Sequence, residues 1–152
     1  MIIYFAGPLF SLAERDFNQR LAESITNCLS DSTIILPQKK AKEITGNNGT
    51  IQDLFELSVR SIEKADVVIA ILDGADVDSG TSFEVGFAYA KGKPIIGIRT
   101  DFRESEDQGV NLMISRSITR LIRFNSSETV IDGMIATICN TVKTMPFFDN
   151  DI

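Results

Sequence analysis

The chain has 152 residues, a formal net charge of −6 and no histidine. A chain of this length can bury a sizeable core as one domain, so we treat residues 1–152 as a single domain. The negative charge and the lack of any cluster of lysine and arginine argue against nucleic acid or an anionic membrane as a partner. Without histidine, acid–base and nucleophilic chemistry within one subunit would fall to carboxylates, tyrosine, lysine, serine or cysteine.

The two cysteines, Cys28 and Cys139, are far apart in the sequence. We interpret both as buried apolar side chains rather than as disulfide partners or zinc ligands, which fits a reducing compartment. Residues 1–5 lack the basic lead and the apolar length of a signal peptide, and the apolar runs elsewhere are too short to cross a membrane. We therefore expect a cytoplasmic protein.

The first half of the chain begins with a continuously apolar stretch that ends at Gly7 and Pro8, as expected of a buried parallel strand. Ser11 and Glu14 then have the spacing of a helix capping box, and apolar residues recur every four positions after them. The predicted elements are a strand (1–6), a helix (11–29), a strand (33–36), a mobile loop without a clear period (38–49) and a helix (50–64).

The second half alternates strands and helices in the same way. The predicted elements are a strand (67–72), a helix (81–91), a strand (94–99), a lid-like polar loop (100–112), a short helical turn (111–117), a strand (121–124) and a helix that contains Ile131, Met134, Ile138 and Val142. This alternation predicts an α/β fold: a single doubly wound, flavodoxin-like or Rossmann-like five-stranded parallel sheet with helices on both faces.

The position of a ligand site follows from this topology. Ligands of open α/β sheets bind beyond the carboxyl ends of the strands, where the strand order reverses, which here lies between the first and third strands. Residues 73–84 follow the third strand and hold four carboxylates: Asp73, Asp76, Asp78 and Glu84. Their spacing does not fit an EF-hand calcium loop, whereas a solvated acidic loop remains an alternative to a functional site.

No strand is followed by the glycine-rich fingerprint of a dinucleotide-binding fold or by a phosphate-binding loop, which argues against NAD and ATP. We therefore expect neither a cofactor nor a metal ion.

Glu84 differs from the other three acids because the pattern places it near the first turn of a helix. There the helix dipole and free N–H groups would favour the ionised carboxylate, which could attack an electrophilic carbon. The alternative is a surface glutamate that stabilises the helix dipole.

Residues 78–90, Asp-Ser-Gly-Thr-Ser-Phe-Glu-Val-Gly-Phe-Ala-Tyr-Ala, closely resemble the nucleoside 2-deoxyribosyltransferase family, in which an acid-x-Gly-x-x-x-Glu-x-Gly run carries the nucleophile. Residues 4–10 resemble the first strand and turn of that family, 65–70 its third strand and 111–113 a late loop. The resemblance spans the chain from Tyr4 to Met113, in order and at compatible spacing.

The resemblance implies a role for each matched residue. Glu84 would attack C1′ of the deoxyribose, Tyr4 would orient Glu84 through a hydrogen bond, and Asp78 would contact the nucleoside at its 5′-hydroxyl. Asn111 would reach into the site of a neighbouring subunit, which implies a homo-oligomer. The remaining residues expected to bind substrate are Gly7, Pro8, Phe10, Gln38, Ser58, Gly80 and Met113.

Ser58 marks a departure from the family. Many members have an aspartate at this position, proposed to exchange a proton with the base. A hydroxyl is a poor general acid, so the donor to the leaving base is open. Asp53 and Glu56 are nearby in sequence, but Glu56 would face elsewhere on the helix.

These observations favour a transferase that moves 2-deoxyribose between nucleobases through a covalent ester on Glu84. One alternative is a hydrolase of 2′-deoxynucleoside 5′-monophosphates on the same scaffold. We disfavour it because the Asp78 carboxylate would repel the phosphate. Between close charges in a poorly solvated pocket this repulsion is on the order of a few kcal/mol. A second alternative is a non-catalytic module that binds a nucleotide and signals through a partner.

Overall fold

The computed structural model describes residues 1–46, 49–103, 109–124 and 131–145. Five strands form one sheet: β1 (Ile2–Ala6), β2 (Thr33–Ile35), β3 (Val67–Ile71), β4 (Ile95–Arg99) and β5 (Arg120–Arg123). All strand pairs are parallel, and the spatial order is β2-β1-β3-β4-β5. This is the flavodoxin-like order, and it confirms the predicted fold class.

In the described residues, six helices connect or follow the strands: α1 (Leu12–Cys28), α2 (Pro37–Gly46), α3 (Ile51–Lys64), α4 (Ser79–Ala90), α5 (Leu112–Ser117) and α6 (Ile131–Thr144). The predicted capping box is present at the start of α1: Glu14 N–H donates to the Ser11 hydroxyl at 3.1 Å, and Ser11 N–H donates to the Glu14 carboxylate at 2.6 Å. The described part of the chain contains no helix with the length and apolarity needed to cross a membrane.

Each strand divides its side chains between two apolar layers, because successive side chains of a strand point to opposite faces. Ile3 and Phe5 of β1 pack with α1 and α6, whereas Tyr4 and Ala6 pack with α3 and α4. Helices therefore cover both faces of the sheet, as predicted.

The prediction of a loop at 38–49 was wrong, since α2 occupies Pro37–Gly46. Pro37 is suited to the first position of a helix, where its missing N–H is not needed. Lys, Ala, Gln and Glu in the residues that follow are good helix formers. The stretch has few apolar residues, so it lacks the periodic pattern that would have indicated a helix. Residues 47 and 48 lie outside the described part.

The other differences are small shifts of boundaries. β5 begins at Arg120 rather than at residue 121, and α4 begins at Ser79 rather than at residue 81. Residues 104–108 of the predicted lid-like loop lie outside the described residues.

One of the two cysteine predictions was also wrong. Both thiols are free, but only Cys139 is buried, whereas Cys28 at the end of α1 is exposed. Burial, and then a hydrogen bond with Cys28, raise the pKa of the Cys139 thiol to about 12.

Candidate active site

The centre of the candidate site is a contact between β1 and α4. Tyr4 is completely buried, and its hydroxyl donates a hydrogen bond to Oε1 of Glu84, 80 residues away in the sequence. The contact forms because Tyr4 lies on the face of β1 that α4 covers. Both residues were predicted as site residues, and the fold brings them together at the point where the strand order reverses.

A cavity of about 190 Å³ opens beside this pair. For comparison, a cavity of about 150 Å³ is large enough to bind benzene, so a single planar ring can enter this space. Its wall is mostly apolar and comes from β1, β2, α2, α3 and α4 and from the loop after β1. The lining residues are Tyr4, Leu9, Ile35, Pro37, Lys40, Ala41, Leu54, Leu57, Ser58, Ser61 and Glu84.

The environment of Glu84 raises its pKa to about 7. Burial is the largest cause, because it disfavours the charged form, and the negative charge of Asp78 adds to it. The hydrogen bond from Tyr4 acts in the opposite direction by stabilising the carboxylate. Near neutral pH the carboxylate is therefore partly ionised, and its anion is poorly solvated.

This result corrects the expected cause of the charge state of Glu84. Because α4 begins at Ser79, Glu84 is its sixth residue and lies beyond the first turn, where the unpaired N–H groups are found. Burial outweighs the helix dipole, whose effect fades within the first turn. Glu84 is thus not a surface glutamate that stabilises the start of the helix.

Tyr4 is held in its protonated form. Burial raises the pKa of its hydroxyl well above the usual value, and the charge and hydrogen bond of Glu84 raise it further. A hydrogen bond with Ser58 partly offsets these effects. Tyr4 therefore remains a hydrogen-bond donor to Glu84, and Ser58 lies within reach of this pair.

Asp78 is the N-cap of α4. Its Oδ2 accepts hydrogen bonds from the N–H of Thr81 at 2.9 Å and from the Thr81 hydroxyl at 3.1 Å, while Oδ1 accepts none from the described residues. Asp78 does not line the cavity, but it is close enough for its charge to act on Glu84. Gly80 follows in the first turn of α4, where an added Cβ would lie 3.2 Å from Oδ2 of Asp78.

Four other predicted residues lie outside the cavity wall. A Cβ on Gly7 would lie 3.3 Å from Ile71, on the side of α1, and Pro8 lines a second cavity on that side. Phe10 is 75% exposed, and Leu9 lines the cavity instead. Gln38 donates a hydrogen bond from Nε2 to the carbonyl of Arg15 at 2.8 Å. Their roles in substrate binding remain predictions.

Asn111 and Met113 lie at the start of α5. Asn111 is the N-cap and accepts a hydrogen bond from the N–H of Met113 at 2.9 Å. Both residues are exposed and neither lines the cavity. The contact of Asn111 with the site of another subunit and the contact of Met113 with substrate remain predictions.

Sequence reasoning missed the wall contributed by α2, which contains Pro37, Lys40 and Ala41. It also did not assign Leu9, Ser61 or the leucines of α3 to the site. The proline followed by good helix formers was the available signal for α2. Asp53 and Glu56 do not replace the missing acid: Asp53 caps α3 through Thr50, and Glu56 pairs with Arg60 at 2.8 Å.

On the other side of the switch point, the loops after β3 and β4 are tied together. Oδ1 of Asp73 accepts hydrogen bonds from the N–H groups of Thr100 at 2.6 Å and Asp101 at 2.9 Å, and Oδ2 accepts one from the Thr100 hydroxyl. The buried guanidinium of Arg99 donates to the carbonyl of Leu72 at 2.6 Å and to that of Arg103 at 2.9 Å. This network holds the loops in place.

Among the described residues no group of three or more cysteines, aspartates or glutamates is arranged to hold a metal ion.

The fold and the site define a flavodoxin-like α/β protein with a partly buried carboxylate, oriented by a tyrosine, at the switch point of the sheet. The family model for nucleoside 2-deoxyribosyltransferases matches residues 3–113. The chain therefore belongs to the nucleoside 2-deoxyribosyltransferase family, whose members act on N-glycosyl bonds.

Solved structures share the fold. A conserved protein from Enterococcus faecalis V583 is 25% identical, with a TM-score of 0.69. The match covers 91% of this chain and 97% of the Enterococcus chain. A 2-deoxyribosyltransferase from Bacillus psychrosaccharolyticus is 22% identical, with a TM-score of 0.67, and the match covers 97% of this chain and 93% of the Bacillus chain. A CMP N-glycosidase from Clostridium botulinum is 16% identical with a TM-score of 0.59, covering 91% and 97%. A search of curated proteins gives no significant match.

Proposed function

We propose that the protein is a nucleoside 2-deoxyribosyltransferase that moves 2-deoxyribose between nucleobases through a covalent ester on Glu84. The observation that carries this proposal is the pairing of Glu84 with Tyr4 beside an apolar cavity with room for a planar ring. A partly buried carboxylate with a pKa of about 7 is available as an anion at neutral pH, and its negative charge is only weakly screened by water.

The proposed reaction has two displacements. An oxygen of Glu84 forms a bond to C1′ of the deoxyribose as the C1′–N bond breaks, and the bonding electron pair leaves with the base. A second base then attacks C1′, forms the new C1′–N bond and releases the Glu84 carboxylate. Two displacements at the same carbon retain the configuration at C1′. A 2′-deoxy sugar favours this route, since loss of the 2′-hydroxyl eases the oxocarbenium-like transition state.

The contacts around Glu84 suit this cycle. Tyr4 holds one carboxylate oxygen, Oε1, so the other can face the sugar. Asp78 accepts the 5′-hydroxyl through Oδ1, which accepts no hydrogen bond from the described residues. The apolar cavity then receives the base. We further propose a homo-oligomer in which Asn111 and Met113 complete the site of another subunit.

The test is base exchange between deoxyinosine and adenine, followed by chromatography. Wild type forms deoxyadenosine and hypoxanthine, and Glu84→Ala loses at least about 10³-fold in rate because the nucleophile is gone. The matched control is Glu56→Ala, which removes an exposed carboxylate paired with Arg60 and leaves the rate unchanged. A glycosyl adduct on the peptide that contains Glu84 should be detectable by mass spectrometry after rapid acid quench.

Three results would contradict the proposal in different ways. Exchange that survives Glu84→Ala excludes Glu84 as the nucleophile. Release of free deoxyribose without exchange indicates a hydrolase, and a strong preference for deoxyadenosine 5′-monophosphate over deoxyadenosine indicates the nucleotide-cleaving alternative. No turnover of any nucleoside, with binding retained, indicates a sensor.

A further inference from the structure

The cavity beside Glu84 extends to one side of the carboxylate. It extends from Tyr4 and Glu84 toward α2 and α3, and Asp78 is not part of its wall. In the proposed function the 5′ end of the sugar lies at Asp78, so the cavity wall formed by α2 and α3 faces the base. The groups that can act on the departing base are therefore those that line this wall.

Three of the lining residues are ionisable: Tyr4, Glu84 and Lys40. Glu84 is the nucleophile, and the proton of Tyr4 is committed to the hydrogen bond with Glu84. The polar groups that remain on the wall are the neutral hydroxyls of Ser58 and Ser61. Lys40 on α2 is thus the one cation among the described residues that line the cavity.

Lys40 can turn toward a bound ligand at low cost. Its ammonium forms an ion pair with Glu43 at 2.8 Å, and the side chains are 43% and 60% exposed, respectively. An exposed ion pair of this kind contributes little to stability, because water screens it and both side chains lose freedom in forming it. The flexible lysine side chain already contacts the cavity, so rotation of its terminal bonds carries the ammonium from Glu43 toward the base.

We propose that Lys40 stabilises the leaving nucleobase, donating a charge-assisted hydrogen bond to it as the C1′–N bond breaks. The base takes the bonding electron pair and becomes an anion, Glu84 loses its charge as the ester forms, and the base receives a proton from solvent after release. The ammonium keeps its proton throughout. A hydrogen-bond donor at a developing negative charge is worth up to about 10²–10³ in rate. This inference rests on the proposed function.

The test uses 2′-deoxyuridines with hydrogen, methyl or fluorine at C5 of the base, which differ in leaving-group acidity but little in shape. Lys40→Met should lower kcat for thymidine about 100-fold and should lower it much less for 5-fluoro-2′-deoxyuridine, whose base leaves more easily. The dependence of kcat on the acidity of the base should therefore become steeper. Lys40→Arg keeps the charge and should restore most of the loss.

The matched control is Lys39→Met on the same helix. Lys39 is 53% exposed, lies 3.8 Å from Glu23 of α1 and does not line the cavity, so its removal should leave all three rates unchanged. Circular dichroism verifies that the variants fold.

The outcomes separate this inference from the function on which it rests. Turnover by wild type together with an equal loss for all three substrates, no loss, or a rise of KM alone in Lys40→Met overturns the role of Lys40 and leaves the transferase intact. A loss confined to 5′-monophosphate substrates also overturns it, since Lys40 would then bind phosphate. Absence of wild-type turnover both of these substrates and of deoxyinosine overturns both.

Discussion

Asp73 and Glu84 are carboxylates of the same acidic stretch, yet they lie on different sides of the switch point and have opposite surroundings. Asp73 accepts three hydrogen bonds from Thr100 and Asp101 and lines a cavity on the side of α1. Glu84 accepts one, from Tyr4, and lines the cavity beside α2 and α3. A carboxylate surrounded by donors stabilises the fold, whereas a buried carboxylate with one donor is costly to ionise and available for chemistry.

The largest effect on stability is expected at Asp73. Asp73→Ala leaves the N–H groups of Thr100 and Asp101 and the Thr100 hydroxyl without their acceptor. Unsatisfied groups of this kind cost about 1–3 kcal/mol each when buried, and these are only partly buried, so we expect the free energy of unfolding to fall by about 3 kcal/mol. Urea denaturation measures it. Asp76→Ala, at an exposed acid of the same loop, should change the free energy of unfolding by less than about 0.5 kcal/mol. Equal effects of the two substitutions would show that the hydrogen bonds to Asp73 do not stabilise the fold.

A smaller effect of opposite sign is expected at Glu84. Its pKa in the folded protein, about 7, is above the ordinary value of 4.5, so the folded state holds a proton that the unfolded state releases. Wild type therefore loses stability as pH rises from about 4.5 to about 7. Glu84→Gln removes this cost and should be more stable at pH 8 by on the order of 2 kcal/mol, with less difference at pH 4. A variant less stable than wild type at both pH values would contradict the assignment.

The smallest effect concerns the pH dependence of the reaction. Because the nucleophile must be ionised, kcat/KM of wild type should rise with pH up to about 7 and then level off. Asp78→Asn removes a negative charge that raises the pKa of Glu84, so this rise should move to lower pH. Asparagine is as good an N-cap as aspartate, so α4 is retained. A midpoint that stays in place would show that Asp78 does not act on Glu84.

The sheet could be predicted because the local sequence pattern indicates its strands. β3 is an unbroken apolar run, and β4 is apolar up to its last residue, Arg99. Both strands are buried at every position, as is typical of central parallel strands. α2 could not be predicted in this way, because it lies over α3 near the surface and has few apolar residues. The cavity wall that it contributes, including Lys40, was missed for the same reason.

The central pair of the candidate site was predictable from the sequence, whereas most of the cavity wall and the energetics of Glu84 were not. The run around Glu84 and the position of Tyr4 were sufficient to name the pair, and the pattern of strands was sufficient to place both at the switch point. The sequence by itself thus determined the fold class and the family, and it singled out Glu84 as the proposed nucleophile. Only the tertiary structure decided that burial, rather than the start of the helix, controls the charge of Glu84. The tertiary structure also decided which acid is stabilised by hydrogen-bond donors, namely Asp73. Both results depend on which groups from distant segments surround each carboxylate, and local sequence spacing does not encode those groups.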